Sequence, residues 1–153
     1  MAGDAAVRVE ESILTSASPE RLWEVATDPR LAPRWNPNVT DVKDISGVPV
    51  STGTTWTQVV KILGRPQAMH ARVVECDPPR KGVVELSGPG NPRITTQIDD
   101  AGSQRRLTQI MELRSGGGFG SMALRLAAGT VRRELQTALY HQKAAAEAET
   151  DGG

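Results

Sequence analysis

The chain has 153 residues, 38% of them hydrophobic and 24% charged, with 18 Lys+Arg balanced by 18 Asp+Glu. That length suits a single domain whose core needs neither disulfide nor metal to stand. A zero net charge argues against nucleic acid as the main partner, because phosphate binding needs a basic excess or a dense basic face. The short clusters Arg105-Arg106 and Arg132-Arg133 read as solvated faces of a strand and a helix. No apolar run approaches the ~20 residues of a membrane span, so no membrane partner is expected. Met1–Asp4 carries neither the basic region nor the apolar stretch of a signal peptide. The single cysteine, Cys76, excludes an internal disulfide and suits a reducing interior, which predicts a cytoplasmic protein.

In chain order, residues 7–16 alternate and carry β-branched side chains, which predicts a first strand. Ser18-Pro19-Glu20 then reads as a helix start, with Ser as N-cap, Pro at the first helical position and an acid in the first turn. Leu22, Val25 and Ala26 give this short helix one apolar face, with Trp23 beside it, and Asp28-Pro29 ends it. A second helical turn is predicted over Arg30–Trp35, closed by Asn36-Pro37.

Strands are predicted near 39–46, 54–63, 67–76, 82–87, 93–99 and 104–114, punctuated by turns rich in Gly, Pro and Asp. Connections this short imply antiparallel neighbours and a meander. After Gly116-Gly117-Gly118 the period changes: Leu124, Ala128, Val131, Leu135, Ala138 and Gln142 step by four and three, and Leu139 widens the stripe. This predicts a helix from about 120 to 147, close to 40 Å long at 1.5 Å per residue. A helix with one apolar stripe must lie across something, and the sheet is the available surface. The expected architecture is α+β: a curved, seven-stranded antiparallel sheet around a long C-terminal helix, with two short helices after the first strand. One domain fills 1–153, with an ordered core over about 7–147.

Local motifs agree with this order of elements. Ser-Pro-Glu-Arg-Leu-Trp-Glu-Val-Ala-Thr-Asp-Pro (18–29), Pro33-Arg34-Trp35-Asn36-Pro37 and Val-Val-Glu-Cys-Asp-Pro-Pro-Arg (73–80) resemble the START-like (SRPBCC) superfamily, specifically its polyketide cyclase/dehydrase branch. The resemblance covers about 7–147 and implies the helix-grip fold with an internal cavity. It also implies a hydrophobic, polyketide-like or polycyclic small-molecule ligand and no cofactor. The superfamily includes cyclases, carriers, receptors and proteins that protect producers from their own antibiotics, so fold alone leaves the chemistry open.

Several residues could line or serve such a cavity. Trp23 and Trp35 either lock the small helices onto the sheet or, for Trp35, form the rim that the resemblance implies. Trp56, Gln58, Val60 and Ile62 share one strand face, and an inward Gln58 must find a partner, be it a side chain, water or ligand. His70 and Arg72 share a face opposite Met69, Ala71, Val73 and Glu75. The second set is the more apolar, which points His70 and Arg72 outward. Pointing inward, they would supply an acid/base and an anion-stabilising pair for aldol-type cyclisation. Leu107, Gln109, Met111 and Leu113 form the inner face of the last strand. Ala127-Ala128-Gly129-Thr130 either leaves volume for a ligand beneath the long helix or permits close helix–sheet contact. Catalytic candidates are thus His70, Arg72 and Gln58. Ligand contacts are expected from Trp35, Trp56, Gln109, Met111, Met122, Leu126, Gly129 and Thr130.

Sharper motifs fail. Gly116–Ser121 lacks both the Gly-Lys-Ser/Thr ending of a phosphate loop and a surrounding βαβ unit. His70, His141 and Cys76 have no zinc-site spacing, and no G-x-S-x-G is present. Two functions stay open. One is a cyclase/dehydratase that folds a poly-β-ketone chain. The other is a protein that binds or sequesters a hydrophobic metabolite, including self-resistance through modification at the triple glycine.

Overall fold

In this computed structural model the described residues are 7–62, 64–114 and 121–151, with side chains described at 7–62, 64–114 and 128–148. Strand β1 (Val7–Thr15) is followed by helix α1 (Pro19–Thr27), a 3-10 turn (Pro29–Leu31) and helix α2 (Ala32–Trp35). Six strands come next: β2 (Val39–Lys43), β3 (Thr55–Ile62), β4 (Arg65–Asp77), β5 (Lys81–Ser87), β6 (Arg93–Ala101) and β7 (Gln104–Leu113). Helix α3 (Ser121–Asp151) closes the chain.

The local signals act where the sequence places them. The Ser18 hydroxyl accepts from the Arg21 amide at 3.2 Å and caps α1. Leu22, Trp23, Val25 and Ala26 form its buried face. The Asp28 carboxylate caps the 3-10 turn by accepting from the Arg30 amide at 3.0 Å. The resulting kink turns α2 back over α1, and the Trp35 indole N–H fastens it by donating to the Val25 carbonyl at 2.9 Å.

The seven strands form one antiparallel sheet in the order β1-β7-β6-β5-β4-β3-β2, so β1 and β2 are its two edges. Its inner face wraps α3, which buries Val131, Leu135, Ala138, Leu139, Gln142 and Ala146. This is the predicted helix-grip arrangement. Glu147 on α3 accepts from the Thr15 hydroxyl at 2.7 Å and the Ser16 amide at 3.1 Å, pinning the helix to the end of β1. Glu11 on β1 pairs with Arg132 and accepts from Gln136 at 3.1 Å on the same helix.

One irregularity shapes the interior. β4 pairs in step with β5 up to Val73↔Val84, then skips to Glu75↔Val83, leaving Val74 as the extra residue of a bulge. Strict alternation would put Glu75 on the same face as Met69, Ala71 and Val73. The bulge instead turns Glu75 outward, where it pairs with Lys81 at 3.4 Å, and brings Cys76 inward against both neighbouring cores.

A candidate ligand-binding cavity

A cavity of about 110 Å³ lies between α1–α2, the inner face of the sheet and α3. It has room for several water molecules and is far more than a packing defect. Trp23, Ala26 and Trp35 wall one side, while Leu135 and Ala138 of α3 wall another. The sheet contributes Trp56, Val73, Leu86, Ile94 and Met111. The floor near β5 depends on Gly82: a Cβ there would lie 3.0 Å from the Trp23 ring, so the indole is seated on bare backbone.

Several polar groups on the wall are hydrogen-bonded among themselves or to neighbouring residues. The Trp56 indole N–H donates to Gln58 Oε1 at 2.9 Å. An indole only donates, so the amide carbonyl must face it and the Gln58 NH2 is left as the free end. On β6 and β7, the Thr96 hydroxyl donates to Gln109 Oε1 at 3.1 Å, and Gln109 Nε2 donates to Gln142 Oε1 on α3 at 3.3 Å. Gln142 is fully buried, and its Nε2 ends this chain without a partner among the described residues. Asp28 is held by Arg30 at 2.7 Å, and that hydrogen bond keeps its carboxyl below the usual range. Burial, reinforced by Asp77, pushes the Cys76 thiol up, so it stays protonated; the S–H points at the Val50 carbonyl 3.6 Å away.

Glu134 is the remaining ionisable group on the wall. As a residue it is exposed, yet its carboxyl is half enclosed, and burial pushes its pKa up against the smaller opposing pull of Arg133. Its Oε1 accepts from Asn38 Nδ2 at 3.2 Å, across the gap between α3 and the turn after α2.

Of the residues expected from sequence, Trp35, Trp56, Gln58, Gln109 and Met111 line this cavity. His70 and Arg72 do not. Their Cα partners are Thr57 and Thr55, all on the outer face, and His70 Nδ1 lies 3.1 Å from the Thr57 hydroxyl. Met69, Ala71 and Val73 take the inner face, as the apolar count of the two faces favours. The inward arrangement in which His70 and Arg72 would serve aldol chemistry is therefore not the one adopted. Gly129 and Thr130 do not line this cavity either; Thr130 instead borders an adjoining hollow with Asn36 and Glu134. Both Gly129 and Thr130 are exposed, and a Cβ on Gly129 would meet nothing nearer than the Arg133 guanidinium at 3.9 Å, so Gly129 neither roofs a void nor permits close packing. The stripe at Val131 and Leu135 sets the rotation of the helix, and Gly129 lies off it. The side chains of Met122, Leu126 and Ala127, and the whole of Gly116–Gly118, lie outside the described residues.

Sequence reasoning missed Glu134, Thr96 and Trp23 as wall residues. Thr96 shows only as the cross-strand partner of Gln109, a register that single-sequence patterning does not supply. Glu134 adjoins the buried Leu135 at the margin of the helix stripe, where a charged residue ordinarily signifies solvent.

The family of polyketide cyclase/dehydrase and lipid transport proteins matches residues 6–147. The chain belongs to that family. Among solved structures, a START superfamily protein from Mycobacterium smegmatis superposes with a TM-score of 0.73 at 16% identity, over 90% of this chain and 97% of that one. A Rhodobacter sphaeroides protein gives a TM-score of 0.66 at 22% identity over 93% of each chain. The di-domain ARO/CYC StfQ of the steffimycin biosynthetic pathway gives 0.75 at 12% identity, over 95% of this chain and 52% of StfQ. At such identities these likenesses establish the helix-grip fold. No curated protein matches the sequence. Among the described residues, no helix is long and apolar enough to cross a membrane and no cluster could hold a metal ion.

Proposed function

We propose that this protein binds and sequesters a hydrophobic, carbonyl-bearing small molecule of the polycyclic or polyketide-like kind, without turning it over. The observation that carries this reading is the character of the wall. It is a largely apolar enclosure into which Gln58 brings an NH2 with no hydrogen-bond partner among the described residues, and His70 and Arg72 both face away from it. Such a wall holds and orients a ligand carbonyl. Among the described residues it supplies no histidine beside a cation, a pair that aldol cyclisation would use.

A cyclase reading has one observation in its favour. Glu134 is a cavity-lining acid whose pKa is raised by burial, as in many general acids. One experiment separates the readings. The protein is incubated with a panel of aromatic polycyclic ketones and linear poly-β-ketones, and both partners are followed by mass spectrometry. Binding with ligand and protein masses unchanged is the expected result. Loss of water from the ligand would favour the cyclase, and a covalent mass change on the protein would favour self-resistance by modification.

A further inference from the structure

We propose that the ligand is an amphiphile that spans the gap between α2 and α3, with its apolar body in the cavity and a neutral, hydrogen-bonding end outside it. This rests on the binding reading above and names the class of ligand more closely.

A second hollow, of about 170 Å³, lies on the outer side of that gap. Asn36 and Glu134 line both hollows, so the two adjoin at these residues. Their characters are opposite. The inner wall is dominated by aromatic and aliphatic side chains, whereas the outer one is built from Asn36, Asn38, Thr130, Arg133, Glu134 and Thr137, with one proline. A purely apolar ligand would leave the outer hollow to water. A purely polar one would have to desolvate in the inner cavity without compensation.

The outer wall also selects against charge. Arg133 and Glu134 bring one cation and one anion to the same small hollow. A phosphate or sulfate end would meet the Glu134 carboxylate, and an ammonium end would meet Arg133. Neither side chain is committed to a strong ion pair among the described residues: Arg133 reaches Thr130 Oγ1 only at 3.4 Å, and Glu134 accepts from the neutral Asn38 amide. Two amides and two hydroxyls beside them offer donors and acceptors in similar number. That mixture matches hydroxyls or an amide on the ligand, such as a glycosyl group. The raised pKa of Glu134 agrees with a carboxyl already partly withdrawn from water at the neck.

The test uses the full chain and four probes with the same octyl tail, below their micelle concentrations: octyl β-D-glucoside, octyl methyl ether, octyl sulfate and octyltrimethylammonium. Each competes against the neutral dye Nile red. The glucoside is expected to bind at least fivefold more tightly than the other three. The double variant Thr130→Val/Thr137→Val is expected to bring the glucoside-to-ether ratio below twofold, with thermal melting to check its fold. Arg133→Gln serves as a second variant and lowers the same ratio. Equal affinity of all four probes, or a charged probe binding most tightly, would overturn the amphiphile proposal while leaving the cavity reading intact. Failure of Nile red and every probe to bind would overturn the cavity reading itself.

Discussion

The Trp56 indole N–H donates to Gln58 Oε1 at 2.9 Å, and this contact orients an amide of the cavity wall with its NH2 end turned away from the indole. Trp56 thereby turns Gln58 from an ambivalent side chain into a donor. Replacing Gln58 with Met keeps the volume and removes the donor. A polycyclic ketone is expected to lose roughly tenfold in affinity, about 1.4 kcal/mol, near the upper end for a neutral hydrogen bond. The matching hydrocarbon should not weaken. Titration of the pair by intrinsic tryptophan fluorescence checks this, and equal losses for both ligands would remove Gln58 from the site.

Gly82 meets Trp23 so closely that even a methyl group there would push the indole by a few tenths of an ångström. Gly82→Ala is expected to cost about 1–3 kcal/mol, the usual range for overpacking a filled core. Urea denaturation measures this directly. Adding Trp23→Phe should recover part of the loss, because the atoms in conflict belong to the larger ring.

The outward His70 and Arg72 make a control. His70→Ala and Arg72→Ala should each leave ligand affinity within twofold of the parent. Each should also shift stability by less than about 0.5 kcal/mol, as surface substitutions usually do. A large loss of binding from either one would reopen the cyclase mechanism that the register of β4 argues against.

Glu147 ties stability to pH. Hydrogen bonds from Thr15 and Ser16, together with Lys143, hold its carboxyl below its usual pKa, outweighing the opposing desolvation. A depressed folded-state pKa means the contribution is complete above the unfolded value of about 4.3. It is lost as pH falls through the lower, folded value. Chemical denaturation from pH 7 to pH 3 should therefore show a decline that Glu147→Gln flattens. At neutral pH the variant should be less stable by about 1 kcal/mol, a low figure because the site is open to water.

Glu134 couples binding to pH in the opposite sense. Its carboxyl is already raised by burial, and a ligand at the neck removes more water from it, favouring the protonated form. The charged groups around it are Arg133 on its own helix and Asp28 on the facing wall, the latter kept ionised by Arg30; Asn36 and Asn38 face it as neutral amides. Affinity for a neutral ligand should rise as pH falls through the Glu134 pKa and level off below it. Glu134→Gln should abolish that slope, and a slope unchanged in the variant would assign the proton elsewhere.

The sequence carries the fold well because its signals are local. Ser18 and Pro19 start α1, Asp28-Pro29 stops it, and the three-four stepping from Val131 to Gln142 sets which side of α3 is buried. The inner positions of β3 and β7 follow from simple alternation, which is why Trp56, Gln58, Gln109 and Met111 were legible. What was not legible depends on pairing between distant segments. Thr96 acquires meaning only beside Gln109, and Glu134 only beside Asn38, 96 residues away. Gly129 misled because a helix-breaking residue suggests a purpose in packing, whereas here it faces solvent.

The bulge at Val74 has a consequence for how this cavity can change over generations. Upstream of it, β4 presents Met69, Ala71 and Val73 inward; downstream, it presents Cys76 toward the Trp23 core. Deleting one residue between Gly64 and Met69 would advance the strand by one position, placing His70 and Arg72 where Met69 and Ala71 now stand. The surplus residue at Val74 could absorb that slip, so that Cys76, Gly82 and Trp23 keep their places. A single codon lost near the β3–β4 hairpin could thus exchange a greasy wall for a cationic, proton-accepting one while the rest of the domain stays in frame. A binding protein and an enzyme on this scaffold can stand one deletion apart.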